Sequence, residues 1–137
     1  MSKKIKVIIK KVDQPFEIKE VDDDYKSMQR IVDGYIEYTP LDRGENIDII
    51  CNDEYLINGS KANFIRPERG DVIGGDVLFV GVNEDGETLS LTDEQIEAVK
   101  EYLQENEVHN MSIAEAKVFM EQRKVALLKK KPLSEMD

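Results

Sequence analysis

The chain has one cysteine, one histidine and no tryptophan among its 137 residues. A single cysteine, Cys51, excludes an internal disulfide, and a single histidine, His109, excludes a histidine cluster for zinc. Cys51 lies in the apolar segment 47–51, far along the chain from His109. We therefore interpret it as a small buried hydrophobic residue and not as a nucleophile activated by a neighbouring base.

Long apolar segments are also missing. No stretch approaches the roughly 20 consecutive apolar residues that a membrane-spanning helix requires. The opening Met-Ser-Lys-Lys is not followed by the apolar core of a secretory signal. We therefore expect a cytoplasmic protein with no membrane partner.

Phosphate-binding and catalytic motifs are equally absent. The glycines do not form a Gly-x-Gly-x-x-Gly or Walker loop, and segment 83–87 lacks the alternating acidic ligands of a calcium loop. We expect a protein that is not an enzyme and that holds no metal or cofactor. The alternative is a small hydrolase or nucleotide-modifying enzyme built on a pair of carboxylates.

Negative charge is abundant and unevenly distributed, with a net charge of −10. Residues 1–20 have a net charge of +3, residues 21–110 of −15 and residues 111–137 of +2. Direct binding of nucleic acid requires a basic surface, so this balance argues against it. An acidic body is compatible with solubility alone, with a basic protein partner, or with mimicry of nucleic acid.

The hydrophobic pattern predicts an α+β fold. We expect a small, mostly antiparallel sheet of about five to six strands, packed with one or two helices and followed by a C-terminal helix. Gly74 and Gly75 interrupt the apolar segment 72–80, which is typical of a bulge, a bend or a close approach of two backbones. Asn58-Gly59 is a favoured two-residue turn. Other strand-like segments are 3–11, 16–21, 35–38, 47–51 and 61–65.

Three segments have helical spacing and recognisable beginnings. The acidic residues 22–24 cap the first helix, which Gly34 ends. Segments 92–95 and 112–115 are capping boxes that begin two further helices, the last of which extends to about Lys130.

The last helix carries apolar residues on two sides, one more than a helix that covers a domain requires. We therefore divide the chain into an α+β domain, residues 1–107, and a C-terminal helical appendage with a basic tail, residues 108–137. The first stripe contains Ile113, Ala116, Phe119, Met120 and Leu127. We interpret the second stripe as a contact in a homo-oligomer; its residues are Ala114, Val118, Val125 and Leu128.

The segment 52–76 is rich in asparagine, glycine and arginine. Turn chemistry accounts for this composition. The alternative is a ligand pocket, because asparagine both donates and accepts hydrogen bonds and a guanidinium group matches phosphate. The candidate ligand-binding residues, whose arginines would bind phosphate, are Arg30, Asn52, Asn58, Asn63, Arg66 and Arg69.

The order of several motifs resembles a family of small domains of unknown function, number 3846 in its series, that occurs in phages and conjugative elements of Firmicutes. The matching pieces follow a lysine-rich opening strand with a proline turn and cover about residues 4–95. They are Met28 to Glu37, Cys51 to Glu54, Ile57-Asn58-Gly59 with Asn63, Asp71 to Gly81, and Ser90-Leu91-Thr92. Two positions depart from the family pattern, since Phe64 stands where arginine is usual and Asp76 where threonine is common.

The resemblance implies a mobile-element setting, where small acidic proteins often counter host defences. It implies no activity. From it we expect a non-enzymatic accessory protein, an anti-defence factor that binds a host protein or sequesters a small nucleotide signal in the host-cell cytoplasm. The alternative is an acidic mimic of DNA that inhibits a nucleic-acid-binding protein.

Overall fold

The computed structural model describes residues 3–43 and 46–129, and it confirms the predicted α+β fold. The opening segment forms strand β1 (Lys4–Lys10), and a turn leads into β2 (Glu17–Asp22). The two strands pair antiparallel, from Lys4 opposite Asp22 to Ile9 opposite Glu17. The strand-like segments 3–11 and 16–21 thus form a hairpin.

The other strands are β3 (Ile36–Pro40), β4 (Ile47–Asn52), β5 (Ala62–Arg66), β6 (Asp71–Gly74), β7 (Val77–Val82) and β8 (Thr88–Leu89). In the described residues the main sheet has the order β2-β1-β7-β4-β3, with β8 added to β7, and every pairing is antiparallel. A single 3-10 turn, Pro67–Arg69, joins β5 to β6 in a separate hairpin. Strand β7 is central, which explains why its sequence is apolar on both faces.

Three helices complete the fold: α1 (Tyr25–Val32), α2 (Asp93–Asn106) and α3 (Ile113–Lys129). Asp24 caps α1 by accepting a hydrogen bond from the Ser27 amide at 2.7 Å. The predicted capping boxes at Thr92 and Ser112 are both present. The predicted helix end at Lys130 and the basic tail lie outside the described residues.

The main sheet separates two hydrophobic clusters. On one face, α1 covers Leu78 and Val80 of β7. On the other face, the β5–β6 hairpin and α2 cover Phe79, whose ring lies 5.6 Å from that of Phe64, centroid to centroid. Because side chains alternate along a strand, successive residues of β7 point alternately into the two clusters.

Helix α3 packs against the outer side of the β5–β6 hairpin. Its buried residues Ala116 and Met120 contact Ala62, Ile65 and Val72 of that hairpin. The N-terminal half of α3 is therefore anchored to the body of the domain. Within the described residues, no helix is both long and apolar enough to cross a membrane.

Two details differ from the sequence-based prediction. Asn58-Gly59 joins no strands, because residues 53–59 form consecutive turns, and the Asn58 amide donates to the Glu54 carbonyl at 2.9 Å. Gly75 has a φ of 75° and redirects the chain after β6, which ends at Gly74, so segment 72–80 forms two strands joined at a bend.

Lys10 is unusual for a lysine because its side chain is fully buried. Its ammonium donates to the Lys11 carbonyl at 2.9 Å and lies 3.8 Å from the Glu107 carboxylate. Burial lowers the pKa of Lys10, although the nearby carboxylates of Glu107, Asp13 and Asp76 act in the opposite direction.

Candidate functional site

Asn52, a predicted ligand-binding residue, is buried and fixes the end of α1. Its side-chain amide donates to the carbonyls of Val32 at 3.2 Å and Asp33 at 3.0 Å, and its oxygen accepts from the Glu54 amide at 2.8 Å. A Cβ atom on Gly34 would lie 2.5 Å from the Asn52 amide nitrogen, so this position needs glycine. The Asn52 amide is thus occupied by the chain itself.

Asn63 ties the β5–β6 hairpin to the main sheet. It is fully buried, and its amide nitrogen donates to the carbonyls of Lys10 and Gly75, each at 2.8 Å. Its side-chain oxygen has no hydrogen-bond partner among the described residues. Asn58, in contrast, is exposed, and its oxygen accepts from the Ser60 amide at 3.0 Å.

Arg66 is buried and almost completely hydrogen-bonded. It binds both carboxylate oxygens of Asp71, at 2.8 and 2.6 Å, in the fork geometry typical of arginine. Its remaining contacts are with the Thr39 hydroxyl at 2.7 Å and the Pro40 carbonyl at 3.0 Å. These bonds connect the β5–β6 hairpin to the edge strand β3.

The other two predicted arginines lie elsewhere. Arg69 is exposed and binds Asp42 through two hydrogen bonds of 2.7 and 3.3 Å, which hold the pKa of that carboxyl below its usual value. Arg30 is exposed on α1, where its guanidinium donates to the Ser27 hydroxyl at 3.2 Å. Because α1 covers the opposite face of the main sheet from the β5–β6 hairpin, Arg30 does not converge with Arg66.

Asn52 and Asn58 do share a groove of about 290 Å³. Its charged lining consists of Asp33, Asp76 and Lys61. Two carboxylates against one ammonium make this groove a poor match for a phosphate group. That the six predicted residues bind a ligand stays a prediction.

A second cleft, of about 490 Å³, lies between α2, α3 and the turn that joins β5 to β6. The Tyr102 hydroxyl donates to the Glu68 carboxylate there, and burial together with that contact raises the pKa of Tyr102 well above its usual range. Arg43 lies 5.7 Å from the centre of the Tyr102 ring and forms an ion pair with Glu105. Arg123 donates to the Glu105 carbonyl at 2.6 Å, so both guanidinium groups already have acceptors.

The outward side of α2 is strongly acidic. Lys100 is its one basic residue and lies 3.2 Å from Glu97. This surface is not among the sequence-based predictions, although carboxylates at 93, 97, 101 and 105 follow the four-residue helical spacing and lie opposite the predicted apolar side. We name it the acidic face of α2; it comprises the five exposed residues Asp93, Glu94, Glu97, Glu101 and Glu105.

The four residues predicted as an oligomer contact lie together on α3, away from the body. Val118 is 57% exposed, Val125 47% and Leu128 56%, and Ala114 is also exposed. We name these four residues the outer face of α3. In the other stripe, Ala116 and Met120 are buried whereas Phe119 and Leu127 are 37% and 61% exposed.

The described residues offer little catalytic chemistry. Burial and then the neighbouring Glu37 raise the pKa of Cys51 to about 12, which disfavours the nucleophilic thiolate. In the described part of the chain, no group of three or more His, Cys, Asp or Glu side chains is placed to hold a metal ion. An enzyme based on a carboxylate pair stays the least favoured of our alternatives.

The fold and surfaces together define a small α+β domain with an acidic helix and a second helix whose outer side is apolar. The chain belongs to the family described as Domain of unknown function (DUF3846), whose model matches residues 5–104. This confirms the resemblance inferred from the order of motifs. The match begins in β1 and ends within α2, so α3 lies outside it. No curated protein and no solved structure matches the chain.

Proposed function

We propose that this chain is a non-enzymatic accessory protein of a phage or mobile element that binds a basic surface of a host protein through the acidic face of α2. It acts in the host cytoplasm as an anti-defence factor. The acidic face of α2 is the observation that supports this proposal.

That face combines high charge with a rigid scaffold. Segment 83–107 contains nine acidic residues and one basic residue, and five of the nine acidic residues lie on the outward side of α2. The buried side of α2, with Ile96, Val99 and Leu103, fixes the helix to the core. Asp93, Glu94 and Glu101 have no ion-pair partner within the described residues. A concentrated field of this kind accelerates association with a basic partner.

A small nucleotide signal fits less well. Arg66 and Arg69 are each bound to a carboxylate, of Asp71 and Asp42 respectively. If a phosphate displaced either carboxylate from its arginine, the negative charge of the aspartate would remain close to the negative charge of the phosphate. The nucleotide alternative therefore has weaker support than a protein partner.

Mimicry of DNA is the second candidate, and charge spacing favours it. A helix of 14 residues is about 21 Å long, so the five carboxylates of α2 provide roughly one negative charge per 4 Å. One strand of DNA carries a phosphate about every 3.4 Å along its axis. On this reading the host partner is itself a nucleic-acid-binding protein.

The proposal is tested by neutralising the acidic face without changing the fold. The variant E94Q/E97Q/E101Q and the wild type are immobilised and exposed to a bacterial host lysate, and bound proteins are identified by mass spectrometry. We expect the wild type to retain a basic protein that the variant retains at least about tenfold less, and moderate salt to release it.

A matched control separates the acidic face from net charge. The variant E17Q/E20Q/E54Q loses the same charge from exposed positions outside α2, and we expect it to retain the partner as the wild type does. Equal retention by both triple variants would overturn the proposal. Release of the partner by added duplex DNA supports mimicry, whereas retention in its presence supports a protein surface that does not bind DNA.

A further inference from the structure

The outer face of α3 has an unusual position in this chain. It presents Val118, Val125 and Leu128 to solvent, each about half exposed, although the opposite side of the helix already packs on the β5–β6 hairpin. Helix α3 also lies outside the matched part of the family, residues 5–104. An apolar face that stays exposed on a helix already packed through its other side indicates an interaction surface.

Two charged residues beside this face determine which partner fits. Glu121 and Lys124 have no ion-pair partner among the described residues. On a helical projection at 100° per residue, Glu121 lies between Leu128 and Ala114, and Lys124 lies 40° beyond Leu128, so both are on the Leu128 side of the outer face. This side of the outer face therefore carries the negative charge of Glu121 and, one turn further towards the C-terminus, the positive charge of Lys124.

We propose that the outer face of α3 binds the same face of a second copy, with the two helices antiparallel. A two-fold axis near Gln122 reverses the order of residues, so that Val118 of one copy meets Val125 of the other. The same operation brings Lys124 of the second copy to the level of residue 119, about 3 Å along the helix from Glu121, so that the two long charged side chains are within reach of each other, twice. A parallel pair would instead place Glu121 opposite Glu121 and would put the two Lys124 side chains on opposite sides of the contact.

A self-complementary surface is the requirement for a two-fold dimer, in which each contact occurs twice. The reversed sequence satisfies it for both the apolar and the charged residues. A shallow depression of about 370 Å³ beside Gln122, Val125 and Ala126 leaves room for side chains of the second helix at the proposed axis. This inference is independent of the acidic face of α2.

The first experiment measures molar mass by light scattering during gel filtration and by sedimentation, from about 5 to 200 µM full-length protein. We expect a concentration-dependent dimer for the wild type and at least tenfold weaker association for V118S/V125S. The control I57S removes an apolar side chain that is 82% exposed on a distant turn, and should dimerise as the wild type does. Circular dichroism checks that each variant is folded.

A charge exchange tests the antiparallel register. E121K and K124E each create two like-charge contacts in a homodimer and should weaken it. An equimolar mixture restores both opposite-charge contacts, so native mass spectrometry should show mainly the heterodimer. The double variant E121K/K124E should dimerise as the wild type does.

Three results would overturn the proposal. A monomeric wild type across the whole concentration range is the first. The second is a dimer that V118S/V125S leaves intact, which would place the contact elsewhere. Failure of the mixture and of the double variant to restore association would exclude the antiparallel register.

Discussion

The segment 52–76 and the helices α2 and α3 use polar residues in opposite ways. In the first region, Asn52, Asn63 and Arg66 are buried and hydrogen-bonded to the chain itself. On the helices, charged residues such as Glu101 and Glu121 are exposed and unpaired within the described residues. A buried polar group that is satisfied internally stabilises the fold, whereas exposed charge on a rigid helix is available to a partner. The three buried polar residues of segment 52–76 therefore stabilise the fold.

The largest expected effect comes from removing Arg66. Its side chain is 6% exposed and its guanidinium binds Asp71, Thr39 and the Pro40 carbonyl, so Arg66→Ala loses a bidentate ion pair and two further hydrogen bonds. Asp71 is 38% exposed, and water can therefore solvate it after the substitution. We expect a loss of about 3 kcal/mol in the free energy of unfolding, measured with urea.

Arg69→Ala is the matched control, because Arg69 also forms a bidentate pair with an aspartate but at an exposed site. Solvent and salt screen such a pair, so we expect a much smaller change. Equal losses in the two variants would show that burial does not distinguish the two pairs. Preserved partner binding by both variants would further separate these arginines from function.

A smaller loss is expected for Asn52→Ala. The substitution leaves the carbonyls of Val32 and Asp33 and the Glu54 amide without their side-chain partner. Because Asn52 is buried, we expect a loss of about 2 kcal/mol in the urea unfolding measurement.

Asn58→Ala, at an exposed position of the same segment, should change stability by less than about 0.5 kcal/mol. The pair of variants separates a structural asparagine from a surface asparagine. A loss for Asn58→Ala as large as that for Asn52→Ala would contradict the contrast between them.

The elements of the fold were predictable because they depend on local periodicity. The buried residues Ile96, Val99 and Tyr102 recur at helical spacing, and the capping boxes at Thr92 and Ser112 fix where helices begin. The strand order was not predictable, because β1 pairs with the distant β7 and no local pattern encodes that neighbour. The surroundings of Asn58-Gly59 were not predictable either, because this dipeptide forms a turn here without joining two paired strands.

The contacts of the predicted site residues were likewise not predictable from local sequence patterns. Sequence composition identifies asparagine and arginine as versatile hydrogen-bonding groups, but it does not show which acceptors lie nearby. Asp71 is five residues from Arg66, whereas Thr39 and Pro40 reach it only through the packing of the hairpin on β3. The outer face of α3 was predictable because the two apolar stripes of this helix depend only on the spacing of residues within it.

The smallest expected effect concerns Lys10, a buried lysine that belongs to neither region. Burial lowers its pKa in the folded protein from the ordinary value of 10.5, against the attraction of Glu107, Asp13 and Asp76. The unfolded chain therefore binds the proton more tightly, and the contribution of Lys10 to the free energy of unfolding increases as pH rises from the folded pKa towards 10.5.

Replacement of Lys10 by methionine removes the titrating group and keeps most of the side-chain volume. We expect the stability of the wild type to rise relative to Lys10→Met as the pH is raised towards 10.5 in urea unfolding experiments. Lys6→Met, at an exposed position of the same strand, should keep the pH dependence of the wild type. Parallel pH profiles for the wild type and Lys10→Met would mean that the ammonium of Lys10 is solvated in solution, and that the segment covering it opens.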